Sequence, residues 1–238
     1  MLKISALIFV LCLIYSGAAT PVSERASNHQ ANDCHSIHIF AARGSTEPYP
    51  GQQGVLINAI CQKQSSCGYE DIGYPATFED YCTSAAKGVS NGTSLITAYA
   101  KRCPDAKLVL TGYSQGAHVI GDILGGGGGN CPVGGLQPTN EALSPESMSG
   151  KQFVAAVLFG DVRHTAGQSY NIGTGADKNG IWPREGEQLV SLNRWESRLR
   201  SWCDEGDPVC AGGPDQSRHF AYFDTVINQA AEWIRTKV

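Results

Sequence analysis

The chain has 238 residues, with 18 basic and 22 acidic side chains, a formal net charge of −4 and 42% hydrophobic residues. This is enough apolar material for one sizeable core, and the chain is too weakly charged to be intrinsically disordered. No clustered Lys/Arg run exists, which argues against a nucleic-acid partner, and the 28 glycines follow no collagen period.

The first predicted element is an address. Lys3 precedes an apolar run over residues 4–15, followed by Ser16-Gly17-Ala18-Ala19. Charge, apolar run and small residues in that order predict a signal peptide over residues 1–19, too short to span a bilayer at ~1.5 Å per residue. Residues 20–33 are polar and aperiodic, and read as a short arm. No later stretch offers the ~20 apolar residues a membrane helix needs, so a soluble, secreted protein without membrane insertion is expected. Cys12 falls in the signal. The remaining cysteines are Cys34, Cys61, Cys67, Cys82, Cys103, Cys131, Cys203 and Cys210, an even set that predicts up to four disulfides in an exported chain. The cysteine and histidine spacings do not favour a metal site. Asn91-Gly92-Thr93 is a glycosylation sequon.

From Cys34 onward, short apolar runs alternate with amphipathic stretches. Ile37–Ala42 reads as a first strand, ending at Arg43-Gly44-Ser45-Thr46. Val55, Leu56, Ala59 and Ile60 recur at helical spacing, and so do Val89, Ile96, Tyr99 and Ala100. Residues 107–111 read as a buried strand, 115–124 as a helix, and Phe153–Phe159 as another buried strand. Residues 125–129, all glycine, suggest a flexible turn, and residues 188–192 a further strand. Phe223, Val226, Ile227, Ala230, Ala231 and Ile234 give one face of a closing helix. Strands alternating with helices predict right-handed crossovers and a mostly parallel sheet covered on both faces. Without a linker or internal repeat, residues 34–238 are expected to form a single catalytic α/β domain.

Gly112-Tyr113-Ser114-Gln115-Gly116 is the informative motif, because it follows an apolar strand and opens a helix. A serine on such a turn adopts a strained backbone, and glycines on either side relieve the clash where helix passes strand. The turn projects the hydroxyl outward. The Gln115 amide and the helix dipole then lie where they can stabilise a tetrahedral oxyanion.

A nucleophilic serine needs a base, and the base needs a carboxylate. Downstream of Ser114 stand His118, His164 and His219. His118 lies one turn along the same helix and reads as structural. His164 follows a buried strand and could edge a site. His219 follows a segment bracketed by Cys203 and Cys210. A disulfide between those two would fix Asp207, and Pro208 would stiffen the turn. Asp207 is thereby preferred as the partner of His219, with Asp204 and Asp215 as competitors.

Further motifs join the elbow: residues 40–47, Phe-Ala-Ala-Arg-Gly-Ser-Thr-Glu, after the first strand; Arg102-Cys103-Pro104 before the elbow strand; and Gly206-Asp207-Pro208-Val209-Cys210 with the later His219. In this order they resemble the fungal cutinase and acetylxylan esterase family, over nearly all of the chain from Cys34. The resemblance implies a three-layer α/β sandwich with a catalytic triad of Ser114, Asp207 and His219. It also implies an oxyanion hole completed by Ser45 beside Gln115, and disulfides Cys34–Cys103 and Cys203–Cys210. It leaves the pairing of Cys61, Cys67, Cys82 and Cys131 open. Residues 159–161 and the long segment 163–183 are more similar to the acetylxylan esterases than to the shorter cutinases. Tyr170 and Trp182 in that segment could face a sugar or pack onto the sheet, and the segment itself could be a lid or a fixed wall.

The expectation is a secreted, monomeric serine carboxylesterase that deacetylates plant xylan through an acyl-enzyme, with no cofactor. A cutinase acting on fatty polyesters is the alternative. A non-catalytic carbohydrate-binding protein on a hydrolase fold is the alternative from another class.

Overall fold

The computed structural model describes residues 34–238; the signal and arm expected over residues 1–33 lie outside the described residues. Ile37–Ala42 forms β1, buried along its whole length, and Gln53–Cys61 forms α1. Cys67–Asp71 (β2) pairs beside β1, and Tyr81–Arg102 (α2) follows. Lys107–Tyr113 (β3) turns through Ser114 into Gln115–Gly125 (α3). Gly127–Asn130 (β4) and Leu136–Asn140 (β5) make a separate hairpin. Met148–Gln152 (α4) then leads into Phe153–Phe159 (β6). Asn171–Ile172 (β7), Gly186–Asn193 (α5) and Leu199–Trp202 (β8) come next. Gln216–Phe220 (α6), Tyr222–Thr225 (α7) and Ile227–Arg235 (α8) close the chain.

The main sheet has the order β2-β1-β3-β6-β8-β7, and every neighbouring pair is parallel. Parallel neighbours need crossovers, and the crossovers carry helices to both faces. Side-chain parity shows the result. Phe40, Leu108, Leu110, Ala156 and Leu158 pack with Val89, Ile96, Ile120 and Ile123 of α2 and α3. Their strand neighbours Ile39, Val109, Ala155 and Val157 pack the opposite way, against Leu56 and Ile60 of α1 and Ile227 and Ala231 of α8. Burial on both faces explains why Leu108-Val109-Leu110 is an unbroken apolar run. The chain places β2 on one side of β1 and β3 on the other, so the crevice beyond the carboxyl ends of β1 and β3 is a topological switch point, where ligands bind in such sheets.

Three expected elements differ. Residues 188–192 lie in α5 rather than in a strand; Leu189 and Leu192 are spaced as a helix, and the sheet position is taken by Leu199–Trp202. The glycine run is not a free turn, since Gly127–Asn130 pairs with Leu136–Asn140. At Gly128, φ is 104° and a Cβ would stand 2.5 Å from the Thr139 Cα, so only glycine fits this close pairing. The closing helix is interrupted at Val226, whose φ of −119° separates α7 from α8, although Phe223, Ile227, Ala230, Ala231 and Ile234 all face the core. Disulfides join Cys34 to Cys103, Cys61 to Cys67, Cys82 to Cys131, and Cys203 to Cys210.

Candidate active site

Ser114 stands between β3 and α3 with φ 56° and ψ −118°, a backbone state that costs on the order of 1–3 kcal/mol for a non-glycine residue. Its surroundings hold it there. Its N–H donates to the Phe159 carbonyl at 2.9 Å, and its own carbonyl accepts from His118 N at 3.1 Å. A Cβ on Gly116 would collide with the Ala42 carbonyl, and one on Gly112 with the Gly116 carbonyl. The glycines therefore let α3 pass close against β1 and β3, which fixes where the serine points.

The structure brings Ser114, His219 and Asp207 together from distant parts of the chain. Ser114 Oγ lies 2.9 Å from His219 Nε2, and His219 Nδ1 lies 2.9 Å from Asp207 Oδ2. Asp207 is fully buried, and its oxygens are well supplied with donors. The Tyr222 hydroxyl donates to Oδ2 at 2.7 Å, while the Val209 and Cys210 amides donate to Oδ1 at 2.6 and 3.3 Å. The Cys203–Cys210 bridge closes this loop across a Cα separation of 5.8 Å. Burial by itself would raise the Asp207 pKa, but hydrogen bonding and charge from His219, with help from Tyr222 and the Val209 amide, hold it below the ordinary carboxylate value. Burial, reinforced by Asp207, pushes the Tyr222 phenol far up, so it remains a neutral donor.

Ser45, on the loop after β1, sits beside the elbow. Its hydroxyl donates to Gln115 Oε1 at 3.2 Å, and Gln115 Nε2 donates to the Thr77 and Tyr81 carbonyls at 3.2 and 3.1 Å. The Glu47 carboxylate accepts from the Gly44 and Gln52 amides at 2.7 and 3.2 Å, while Arg43 Nε reaches the Glu47 carbonyl at 2.6 Å. The loop is thus held in place by its own side chains. A crevice of about 270 Å³ opens over Ser45, Ser114 and His219, with Phe78, Val209 and Phe220 along its walls.

The other candidates lie elsewhere. His118 is fully buried, with Nε2 3.0 Å from Asp122 and Nδ1 3.1 Å from the Tyr81 hydroxyl. His164 turns inward, its Nδ1 3.1 Å from Ser201 Oγ, and burial lowers its pKa; it does not edge the crevice. Asp215 accepts from Ser217 N as the N-cap of α6. Asp204 offers its amide to the Tyr222 hydroxyl at 3.1 Å. Tyr170 packs in the core beneath the sheet, whereas Trp182 is half-buried and lines a different cavity. Segment 163–183 is bonded as a wall: β7 pairs with β8, Ile181 N donates to Val209, and Trp182 N donates to Val162.

Two contributors escaped the sequence reading. Tyr222 stands three residues beyond His219, a spacing that places both on one side of a helical turn, and this was the available signal. The Gln115 side chain, as opposed to its amide, had no signal, because Thr77 and Tyr81 lie far back in sequence.

The cutinase family profile matches residues 33–238. The chain is 30% identical to acetylxylan esterase 2 of Talaromyces purpureogenus over 238 residues, covering 97% of each chain. It is 31% identical to cutinase 11 of Verticillium dahliae, over 93% of this chain and 75% of that one. The solved catalytic core domain of acetyl xylan esterase from Trichoderma reesei is similar at a TM-score of 0.76 and 29% identity, covering 87% of this chain and 100% of that one. With matches that span nearly every described residue, the protein belongs to the cutinase family of carboxylic ester hydrolases.

Proposed function

We propose that the protein is an extracellular serine esterase that removes acetyl groups from xylan, with Ser114, His219 and Asp207 as its triad. The observation that carries this reading is the continuous contact Ser114–His219–Asp207, 2.9 Å at each step, opening into a crevice. His219 Nδ1–H donates to Asp207, which fixes the tautomer and leaves Nε2 to accept the serine proton. Ser114 Oγ then attacks the ester carbonyl carbon. The carbonyl oxygen gains the negative charge beside the Gln115 amide, one of the first helical N–H groups, which lack an intrahelical acceptor. Ser45 supplies a second donor. Collapse of the intermediate expels the sugar alcohol, which takes the proton from His219. Water, deprotonated by the same imidazole, releases acetate and restores the serine.

Acetyl specificity is supported by the similarity to chains named acetylxylan esterase and by the small volume of the crevice, about 270 Å³. One observation favours a second reading, hydrolysis of fatty polyesters: Phe78 and Phe220 are 59% and 52% exposed at the crevice mouth, where a longer acyl chain would lie. Aryl esters of increasing acyl length separate the two. A steep fall in kcat/KM from acetate to longer chains, together with acetate release from acetylated xylan, supports the deacetylase. A rise with chain length supports the polyesterase. Four disulfides suit an oxidising, extracellular setting.

A further inference from the structure

We propose that the cavity beside Trp182 is a second sugar subsite that holds a neutral polyhydroxylated chain, the xylan backbone, while Ser114 acts on an acetyl group further along it. This inference rests on the esterase reading above. The cavity measures about 520 Å³, nearly twice the crevice at Ser114, and its lining mixes the polar side chains of Asn130, Arg163, Glu185, Glu187 and Gln188 with apolar surface that includes Trp182.

Several of these groups are held rigidly before any ligand arrives. Arg163 Nη1 donates to the buried Asp122 at 3.0 Å, and Nη2 donates to Gln188 Oε1 at 2.5 Å. Gln188 Nε2 in turn donates to the Gly128 carbonyl at 3.1 Å. The Arg163 guanidinium lies 4.1 Å over the Trp182 ring, and the His118 ring meets that indole edge-on at 5.7 Å. The indole is therefore held by two neighbouring groups, a cation over its face and an imidazole set edge-on to it. Gly128 and Gly129 line the same cavity, and a Cβ on Gly129 would stand in ordinary contact with the indole, 3.6 Å from Trp182 Cζ2.

The chemistry of this lining selects the ligand. Carboxylates and amides accept and donate to adjacent hydroxyls, and an aromatic edge supplies apolar contact to the C–H groups between them. Arg163 is charge-compensated by Asp122, while Glu185 and Glu187 are exposed at the rim. An anionic polysaccharide meets those two carboxylates, whereas a neutral chain does not. An acyl chain would strand the polar lining without partners.

The location fits a substrate longer than one sugar. His118 lies one turn along α3 from Ser114 and touches Trp182. Ile181 N donates to the carbonyl of Val209, which lines the crevice at Ser114, and the next residue, Trp182, lines the second cavity. The Ile181–Trp182 backbone therefore ties the wall of one cavity to the wall of the other, and the proposed ligand is an oligosaccharide long enough to reach both.

The test uses the full secreted chain carrying Ser114→Ala, titrated with an unacetylated neutral xylo-oligosaccharide and, in parallel, with an oligogalacturonide. The neutral chain is expected to bind and the galacturonide not to bind. Adding Asn130→Ala and Glu187→Ala, both at exposed positions, is expected to weaken binding about tenfold. In the protein with Ser114 intact, the same pair lowers the ratio of kcat/KM on acetylated xylo-oligosaccharide to kcat/KM on an aryl acetate. No binding of the neutral chain, equal binding by the variant, preference for the galacturonide, or an unchanged ratio would each overturn the subsite. Failure of the esterase reading looks different, namely aryl acetate turnover that is absent or indifferent to Ser114. The binding titration does not depend on turnover, so the two failures are separable.

Discussion

His219 and His118 each hold a buried carboxylate, Asp207 at 2.9 Å and Asp122 at 3.0 Å, yet their surroundings differ in one respect that matters for chemistry. The second nitrogen of His219 faces a serine hydroxyl at the wall of a crevice. The second nitrogen of His118 is occupied by the Tyr81 hydroxyl, in a site with no exposure. Asp122 also accepts from Arg163, Arg184 and Gln137, and Arg184 bridges on to Asp161 at 2.6 Å. Asp207 has neutral donors in their place, from Tyr222 and two amides. A histidine–carboxylate pair is thus no signature of catalysis. What distinguishes the proposed relay is a free ring nitrogen aimed at a nucleophile; the other pair ties α3 to the chain around Arg163 and Arg184.

Substitutions at the two carboxylates should separate turnover from stability. Asp207→Asn is expected to lower kcat on an aryl acetate by about 10⁴ while thermal unfolding shifts little, since the amide keeps the shape but favours the wrong imidazole tautomer. Asp122→Asn should do the opposite. It leaves two buried guanidinium groups short of a counter-charge and is expected to cost about 3–5 kcal/mol of stability, read by denaturant unfolding, with kcat per folded molecule retained. Loss of turnover without loss of stability at Asp122 would erase the distinction drawn here.

The pH dependence sharpens the same contrast. Burial opposes ionisation of Asp122, but His118, Arg184 and Arg163 together hold its pKa far below the ordinary value of 3.8. A depressed folded pKa means stabilisation that is complete above the unfolded value and is lost only as pH falls through the folded one. The Asp122 contribution therefore persists through mildly acidic solution and fades only in strong acid. Asp207, also lowered by its hydrogen bonds and by His219, behaves with the same sign, so both carboxylates stay ionised through mildly acidic solution. Unfolding curves across the acid range check this: the stability gap between the protein and Asp122→Asn should hold through mildly acidic solution and shrink only in strong acid.

Smaller effects follow from the supporting groups. Tyr222→Phe removes one donor from Asp207 and should reduce kcat/KM by roughly 3- to 10-fold, the worth of one such hydrogen bond. Asp215→Asn, at an exposed helix cap, should leave turnover within about twofold, because surface changes of this kind act weakly. A large loss there would reopen the choice of carboxylate.

Much of this arrangement was legible in the sequence where the signal was contiguous. Leu108-Val109-Leu110 followed by Gly112-Tyr113-Ser114-Gln115-Gly116 contains strand, turn and helix in one stretch, so local periodicity sufficed. The short β7 and β8 were invisible, because two to four residues carry no period and their strand state comes from pairing with a neighbour. The reading of residues 188–192 as a strand failed for the same reason; five residues do not discriminate helix from strand by pattern. The Asp122 cluster draws on residues 118, 137, 163 and 184, and only folding brings them together. The glycine run misled because glycine usually marks freedom, whereas here its missing side chain permits a tight strand pair.

The central claim is that the Ser114 hydroxyl is the nucleophile, activated by His219. Reaction of the protein with a serine-directed alkyl phosphonate, followed by peptide mass mapping, tests it most directly. A single adduct on the peptide containing Ser114, absent from Ser114→Ala and strongly slowed in His219→Ala, is the expected result. An adduct on another serine, or labelling of either variant as fast as that of the unsubstituted protein, would contradict it.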